Sequence, residues 1–180
     1  MLSAERMLSA AQLASTGMWA EYEAAFPREE RRSWHQHCKA MENSDFFCML
    51  LRHAGEPVCL LFYWRFPQGV YVEHLAVCAR YRGLGWGHKA LTWLQQQGYP
   101  MILEIEPPLC PQTQRRLRFY ASAGFVELPY AHVQPPYHAD TPSVPLRLLS
   151  FPYAWQADAV AAFEGFLREH VMRYSDAVKE

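Results

Sequence analysis

The stretch His74–Gly98, HLAVCARYRGLGWGHKALTWLQQQG, decides how the rest of the chain is read. It opens as the end of an apolar, strand-like run and breaks at Arg80, Arg82 and three glycines, Gly83, Gly85 and Gly87. It resumes at helical period through Ala90, Leu91, Trp93 and Leu94, and Gly98 offers a left-handed stop. Residues without side chains let backbone N–H groups converge on one oxyanion-rich group, and a helix start adds positive potential there. Arg80, Arg82 and Lys89 surround this turn. No Asp or Glu occurs from Leu75 to Leu103, where a chain with 18 acids in 180 residues would carry about three at ordinary charge usage. The pattern points to a polyphosphate site.

Working outward, FFCMLL, VCLLFYW and VYVEHLAV are three β-rich runs separated by the turn clusters HAGEP and RFPQG, which reads as an antiparallel meander. Downstream, PMILEIEPP is a short strand closed by prolines. Strand, helix and strand in that order require a right-handed crossover, so YVEHLAV and MILEIE are expected to lie parallel. A helix from Gln112 to Ala123 ends at Gly124, and FVEL forms another short strand. The proline-rich passage Pro129–Pro145 follows, then a last strand, LRLLSF. Trp155 to about Arg173 is an amphipathic closing helix through Val160, Phe163, Phe166, Leu167 and Val171. Two helices are expected between Met18 and Met41, the second beginning near Pro27 and the acid pair Glu29–Glu30. The fold class is α/β with a mixed, α+β-type sheet, in which the meander precedes a parallel β-α-β segment.

With 51% hydrophobic and 14% aromatic residues, the chain has material for one compact core, and residues 1–180 are expected to form a single domain. A net charge of −1 speaks against nucleic-acid or polybasic membrane-surface binding, so an anionic ligand must be held by local charge. Cys38, Cys48, Cys59, Cys78 and Cys110 are odd in number and scattered, which fits neither a disulfide framework nor a structural zinc but suits a reducing cytoplasm. The N-terminus lacks a signal pattern and no run is long enough to span a bilayer. Met7 is as good a start as Met1 on sequence alone, and a homodimer is allowed but not specified.

The turn lacks G-K-[ST], which excludes a Walker-type loop. Gly85-Trp86-Gly87-His88-Lys89-Ala90 does fit G-x-G-x-x-A, with Glu104 or Glu106 about twenty residues on, but three antiparallel strands before it are the wrong setting for a dinucleotide-binding sheet. Arg82-Gly83-Leu84-Gly85-Trp86-Gly87 matches the R-x-x-G-x-G signature of the GNAT superfamily of N-acetyltransferases. HLAV before it and RFYASAGFVEL after it resemble the same family's adjoining strand and F-Y-x-x-x-G-F motif, and the resemblance covers about Asp45 to Leu128. VQPPYHADTPSVPLRLLS also resembles a segment of some bacterial members.

The resemblance implies a GNAT-type acyl-CoA N-acyltransferase fold with acetyl-CoA as co-substrate and no metal. It implies a pantetheine arm in a splay between YVEHLAV and MILEIE, paired with backbone at Leu75, Ala76 and Val77, one of whose N–H groups would be the oxyanion donor. The pyrophosphate would rest on Arg82, Gly83, Leu84, Gly85, Trp86, Gly87 and His88. The acceptor would be a primary amine on a small molecule or peptide, attacking directly in a ternary complex. An acyl-CoA sensor without turnover would keep every feature of the phosphate turn.

Acetyl transfer to an amine raises two proton problems. A lysine-like amine is mostly protonated at pH 7, and freeing its lone pair costs about 4 to 5 kcal/mol. Glu73 is the carboxylate of the central strand and, with regular alternation, shares a face with Tyr71, Leu75 and Val77, so it is the candidate base, with His74 or a water as substitutes. The departing thiolate is helped by an O–H donor, and Tyr120 of FYASAGF matches the family's proposed acid, although it also lies on a helical stripe with Leu117, Ala121 and Gly124. Cys78 and Cys110 have no His/Asp partner at nearby spacing for a covalent route. His132, His138 and Asp140 match no zinc signature and are expected to shape the acceptor pocket at most.

Overall fold

The structure is a computed structural model that describes residues 2–178. Strands β1 (Leu2–Arg6), β2 (Phe46–His53), β3 (Glu56–Phe66) and β4 (Gly69–Val77) run antiparallel in succession. Strand β5 (Met101–Ile105) lies parallel to β4, and β8 (Val144–Phe151) is antiparallel to β5. The far side of β8 pairs with both β6 (Val126–Glu127) and β7 (His132–Gln134). The result is an eight-stranded mixed sheet in the order β1-β2-β3-β4-β5-β8-β6, with β7 paired to β8 off this path. One antiparallel meander and one parallel pair exclude the doubly wound sheet on which a dinucleotide fingerprint depends.

The long buried run of β3 explains why helices cover both faces. Leu60, Phe62 and Trp64 point into a core shared with α1 (Ala10–Ser15), α2 (Met18–Ala25), α3 (Trp34–Met41) and α6 (Ala157–Phe166). Leu61 and Tyr63 point the other way, against Ala90, Leu91 and Leu94 of α4 (Trp86–Gln95) and the partly buried Leu117 of α5 (Pro111–Ser122). Each fully buried Leu or Phe contributes about 1.5–3 kcal/mol on either face, so the two layers hold the sheet from both sides.

Two irregularities of β4 build the site. Phe62 pairs with His74 but Tyr63 pairs with Val72, so Glu73 is an extra residue in a β-bulge. The bulge resets the alternation: Glu73 and His74 both turn toward the core with Phe62 and Trp64, while Leu75 and Val77 pack on the opposite face. The expected shared face of Glu73 with Leu75 and Val77 is therefore corrected. The second irregularity is that β4 pairs with β5 only from Val70 to Val72, although both strands continue. Beyond that point they splay.

Other expectations need smaller corrections. The helix expected at Pro27 is only a 3-10 turn, Arg28–Glu30, and α3 starts at Trp34, where the Ser33 hydroxyl accepts from the Gln36 amide at 3.3 Å. The N-terminal residues Leu2–Arg6, for which the sequence reading gives no element, form an edge strand along β2. The closing helix is regular only to Phe166, then widens over Leu167–Val171 and tightens over Met172–Tyr174. No described helix is long and apolar enough to cross a membrane.

Candidate active site

Three neighbouring cavities, each sharing lining residues with the next, follow the splay from the glycine turn to the proline-rich loop. The first, about 530 Å³, is walled by Arg82 and the glycines on one side and by Arg115, Phe119 and Tyr120 of α5 on the other. Gly83 and Gly85 take φ of 77° and 78°, left-handed values at which a side chain would be strained. Gly87 is needed for closeness instead, since a Cβ there would lie 3.0 Å from the Phe119 ring. Among the described residues, the amides of Gly83, Gly85, Trp86, Gly87 and His88 donate to no protein acceptor, and α4 has no side-chain cap. The Leu84 amide differs, reaching the Tyr81 carbonyl at 3.4 Å. A helix start left bare in this way suits an anion.

The cations around the turn are not all those the sequence suggests. Arg80 is paired with Glu56 at 2.9 Å, and Lys89 stands 3.8 Å over the Trp86 ring; neither lines the cleft. Arg82 does, with its Nε donating to the Val77 carbonyl at 3.2 Å, and α5 adds Arg115 and Arg116. His88 also faces the cleft, with Nε2 2.8 Å from Ser122 Oγ. Arg115 and Arg116 could have been suspected from their place four residues ahead of the Phe119-Tyr120 pair.

The second cavity, about 460 Å³, has Leu75, Ala76 and Val77 along its wall. Past Val72 no strand among the described residues takes the β5-facing backbone of β4, so this edge is available for pairing. Tyr120 lines both cavities, and its hydroxyl makes no hydrogen bond among the described residues. Burial pushes its pKa up to about 12, so it holds its proton at neutral pH.

Glu73 has the opposite surroundings. Arg32 donates to both carboxylate oxygens, at 2.6 and 2.7 Å, Trp64 Nε1 donates at 3.0 Å and Tyr137 Oη at 2.8 Å. Neither Glu73 nor Arg32 has any exposed side-chain surface. Burial alone would raise the Glu73 pKa, but the Arg32 charge and the hydrogen bonds from Arg32 and Trp64 hold it at about 2. These are the surroundings of a structural ion, and the expectation of a free base at Glu73 finds no support in them. His74 is no freer. Its Nε2–H donates to the Glu30 carbonyl at 2.9 Å, leaving Nδ1 to accept from Tyr22 Oη at 3.3 Å, and burial lowers its pKa to about 4.

The third cavity, about 70 Å³, shares Phe26, His74, Glu104 and Arg116 with the second and adds Glu30, Glu106 and Gln134. Glu104 accepts from Tyr71 Oη at 2.5 Å and Gln134 Nε2 at 3.0 Å, and contacts His132 Nε2. His132 Nδ1 lies 3.0 Å from Glu164. Burial opposes charge on that ring, but the hydrogen bonds and charges of Glu104 and Glu164 prevail and raise its pKa. His138 Nε2 bonds the Arg28 and Arg31 carbonyls at 3.0 Å, and Asp140 meets Arg28 through two bonds. The proline-rich loop is thereby fastened over the sheet and the Arg28–Glu30 turn. Among the described residues, no group of three His, Cys, Asp or Glu could hold a metal ion. All five cysteines are free thiols, and none lines these cavities.

A splayed parallel pair, a bare glycine turn and the cavities that run between them form one site at the open edge of β4. The chain belongs to the GNAT family of acetyltransferases, whose sequence profile, Acetyltransferase (GNAT) family, matches residues 13–125. It is 33% identical over 103 residues to "Putative acetyltransferase YjbC" of Bacillus subtilis (strain 168), a match covering 56% of this chain and 52% of that one. The matched region thus spans about half the length of this curated relative. A similar solved structure is "Putative acetyltransferase from GNAT family" of Bacteroides thetaiotaomicron, with a TM-score of 0.82 and 25% identity over 98% of this chain and 99% of that one. The ribosomal-protein-S18-alanine N-acetyltransferase of Escherichia coli shares the fold, with a TM-score of 0.58 at 16% identity over 88% of this chain and 97% of that one.

Proposed function

We propose that residues 1–180 form one GNAT N-acetyltransferase domain that moves an acetyl group from acetyl-CoA to a primary amine of a small molecule or peptide. The observation that carries this reading is the set of unpaired amides at Gly83, Gly85, Trp86, Gly87 and His88, beside Arg82 and Arg115. That set suits the diphosphate of coenzyme A. The pantetheine arm would run along the open edge at Leu75, Ala76 and Val77, placing the thioester near Tyr120, with a β4 amide as oxyanion donor.

The amine nitrogen attacks the thioester carbonyl, a C–N bond forms and the C–S bond breaks. Tyr120 gives its proton to the departing sulfur and is reprotonated with the second proton of the new amide nitrogen. Glu73 acts indirectly here: with Arg32 it fixes the bulge that aims β4 into the splay.

Titration calorimetry with coenzyme A and thiol release from acetyl-CoA with a panel of primary amines test the reading. Tyr120→Phe is expected to bind coenzyme A as wild type does and to lose about 100-fold in kcat, the lower range for a general acid. Absence of coenzyme A binding would overturn the reading, and an unchanged kcat in Tyr120→Phe would remove its acid.

A further inference from the structure

With Glu73 and His74 engaged elsewhere, the base needed by a protonated amine must come from another wall of the acceptor cavity. Of the carboxylates there, Glu73 takes four hydrogen bonds, Glu104 is held by Tyr71, Gln134 and His132, and Glu106 is paired with Arg116. Glu30 is different. It lines the third cavity, and its carboxylate has no hydrogen bond or ion pair among the described residues. Its position is nonetheless fixed, because its carbonyl accepts from His74 and its amide donates to the Pro27 carbonyl at 3.0 Å. The neighbouring carbonyls of Arg28 and Arg31 are held by His138 of the proline-rich loop.

We infer that Glu30 is the general base and ammonium anchor of the acceptor site, and that the site takes acceptors presenting a protonated alkyl amine. This rests on the transferase reading above. The charged neighbours of Glu30 are Glu29 on the same turn, Glu106 at the end of β5 and Arg116 on α5. Arg116 is already matched by Glu106, so an arriving ammonium meets a surplus of negative charge. Burial and Glu106 both raise the Glu30 pKa, with Arg116 opposing, a shift toward the basicity that a proton acceptor needs. One amine proton passes to Glu30 and on to solvent, and the freed lone pair makes the C–N bond. The net products are an amide, a free thiol and one released proton.

The test compares wild type with Glu30→Gln, which keeps size and loses basicity. Probes are benzylamine and 1,4-diaminobutane, protonated at neutral pH, and aniline, which is not. For the two alkyl amines kcat/KM is expected to fall about 100-fold or more, and for aniline by less than about 5-fold, because only the ammonium must lose a proton before its nitrogen can attack, and the proton lost after attack goes to Tyr120. Coenzyme A affinity is expected to be unchanged. Equal loss with alkyl and aryl amines, or no loss, would overturn the role of Glu30 while leaving the transferase reading intact. Coenzyme A binding by wild type with no thiol release for any amine would overturn both.

Discussion

The Arg32–Glu73 node sits on β4 and the glycine turn follows the end of that strand, and the two treat polar groups in opposite ways. At the turn, five backbone donors have no protein acceptor among the described residues, and two glycines hold left-handed φ values. At the node, a carboxylate with no exposed surface is taken by two side-chain donors of Arg32, one of Trp64 and one of Tyr137. The unpaired amides of the turn face a cleft, where they are free to bond a ligand. Paired groups mark where the chain has spent its polarity on its own architecture. A charged residue in a central strand is therefore not evidence of catalysis until its partners have been counted.

The largest expected effect comes from breaking the closed region. Arg32 joins the segment between α2 and α3 to β4 and, through its Nε, to the Tyr174 carbonyl at 3.2 Å. Arg32→Met would leave Glu73 buried without its countercharge, and breaking such a pair from one side costs about 3 to 5 kcal/mol. Urea denaturation is expected to show that loss. The double variant Arg32→Met with Glu73→Leu is expected to recover much of it, since well-packed apolar groups can replace a buried ion pair. A single variant as stable as wild type would break the contrast between the two regions.

The closed region also has an unpaired member, and it sharpens the comparison. Among the described residues, both ring nitrogens of His37 are buried without partners, amid Trp19, Trp34, Phe46 and Phe62. Burial first, and Arg32 second, lower its pKa from 6.5 to about 3. Because the folded value lies below the unfolded one, the stability tied to a neutral ring is present above pH 6.5 and is lost as pH falls toward 3. His74, at about 4, adds a loss of the same sign. Each is expected to remove about 2 kcal/mol between pH 7 and pH 5. Chemical denaturation at both pH values tests this in His37→Leu, which should lose about 2 kcal/mol less than wild type over the interval. Equal pH dependence would show that the ring finds a partner in solution.

What could be read from the sequence follows the same division. The turn, α4 and the β4–β5 pair were legible because their signals are local: glycines, a period and an acid-free interval within some thirty residues. The node was not, because Arg32 and Glu73 stand 41 positions apart and nothing in either neighbourhood names the other. The bulge at Glu73 was equally hidden, since an inserted residue leaves an apolar strand pattern almost unchanged while reversing which face its side chains take. Glu30 looked like the first turn of a helix, which acids favour, and Ser33 supplied the better cap further on.

The smallest effect is expected at the open region, where it is also the most specific. Gly85 caps α4 at φ 78°, and a Cβ there would meet nothing within 4 Å. Gly85→Ala therefore introduces no collision, and its cost is the left-handed backbone alone, about 1 kcal/mol. The alanine keeps its N–H, so the donor survives if the turn does. Stability should fall by that small amount in urea, whereas coenzyme A affinity should fall about tenfold if the backbone relaxes away from the left-handed region and turns the Gly85 and Trp86 amides from the cleft, a change worth about 1.4 kcal/mol. Calorimetry resolves that difference. An affinity equal to wild type, with the expected loss of stability, would show that the turn keeps its left-handed form, and its amides in the cleft, at the cost of backbone strain alone.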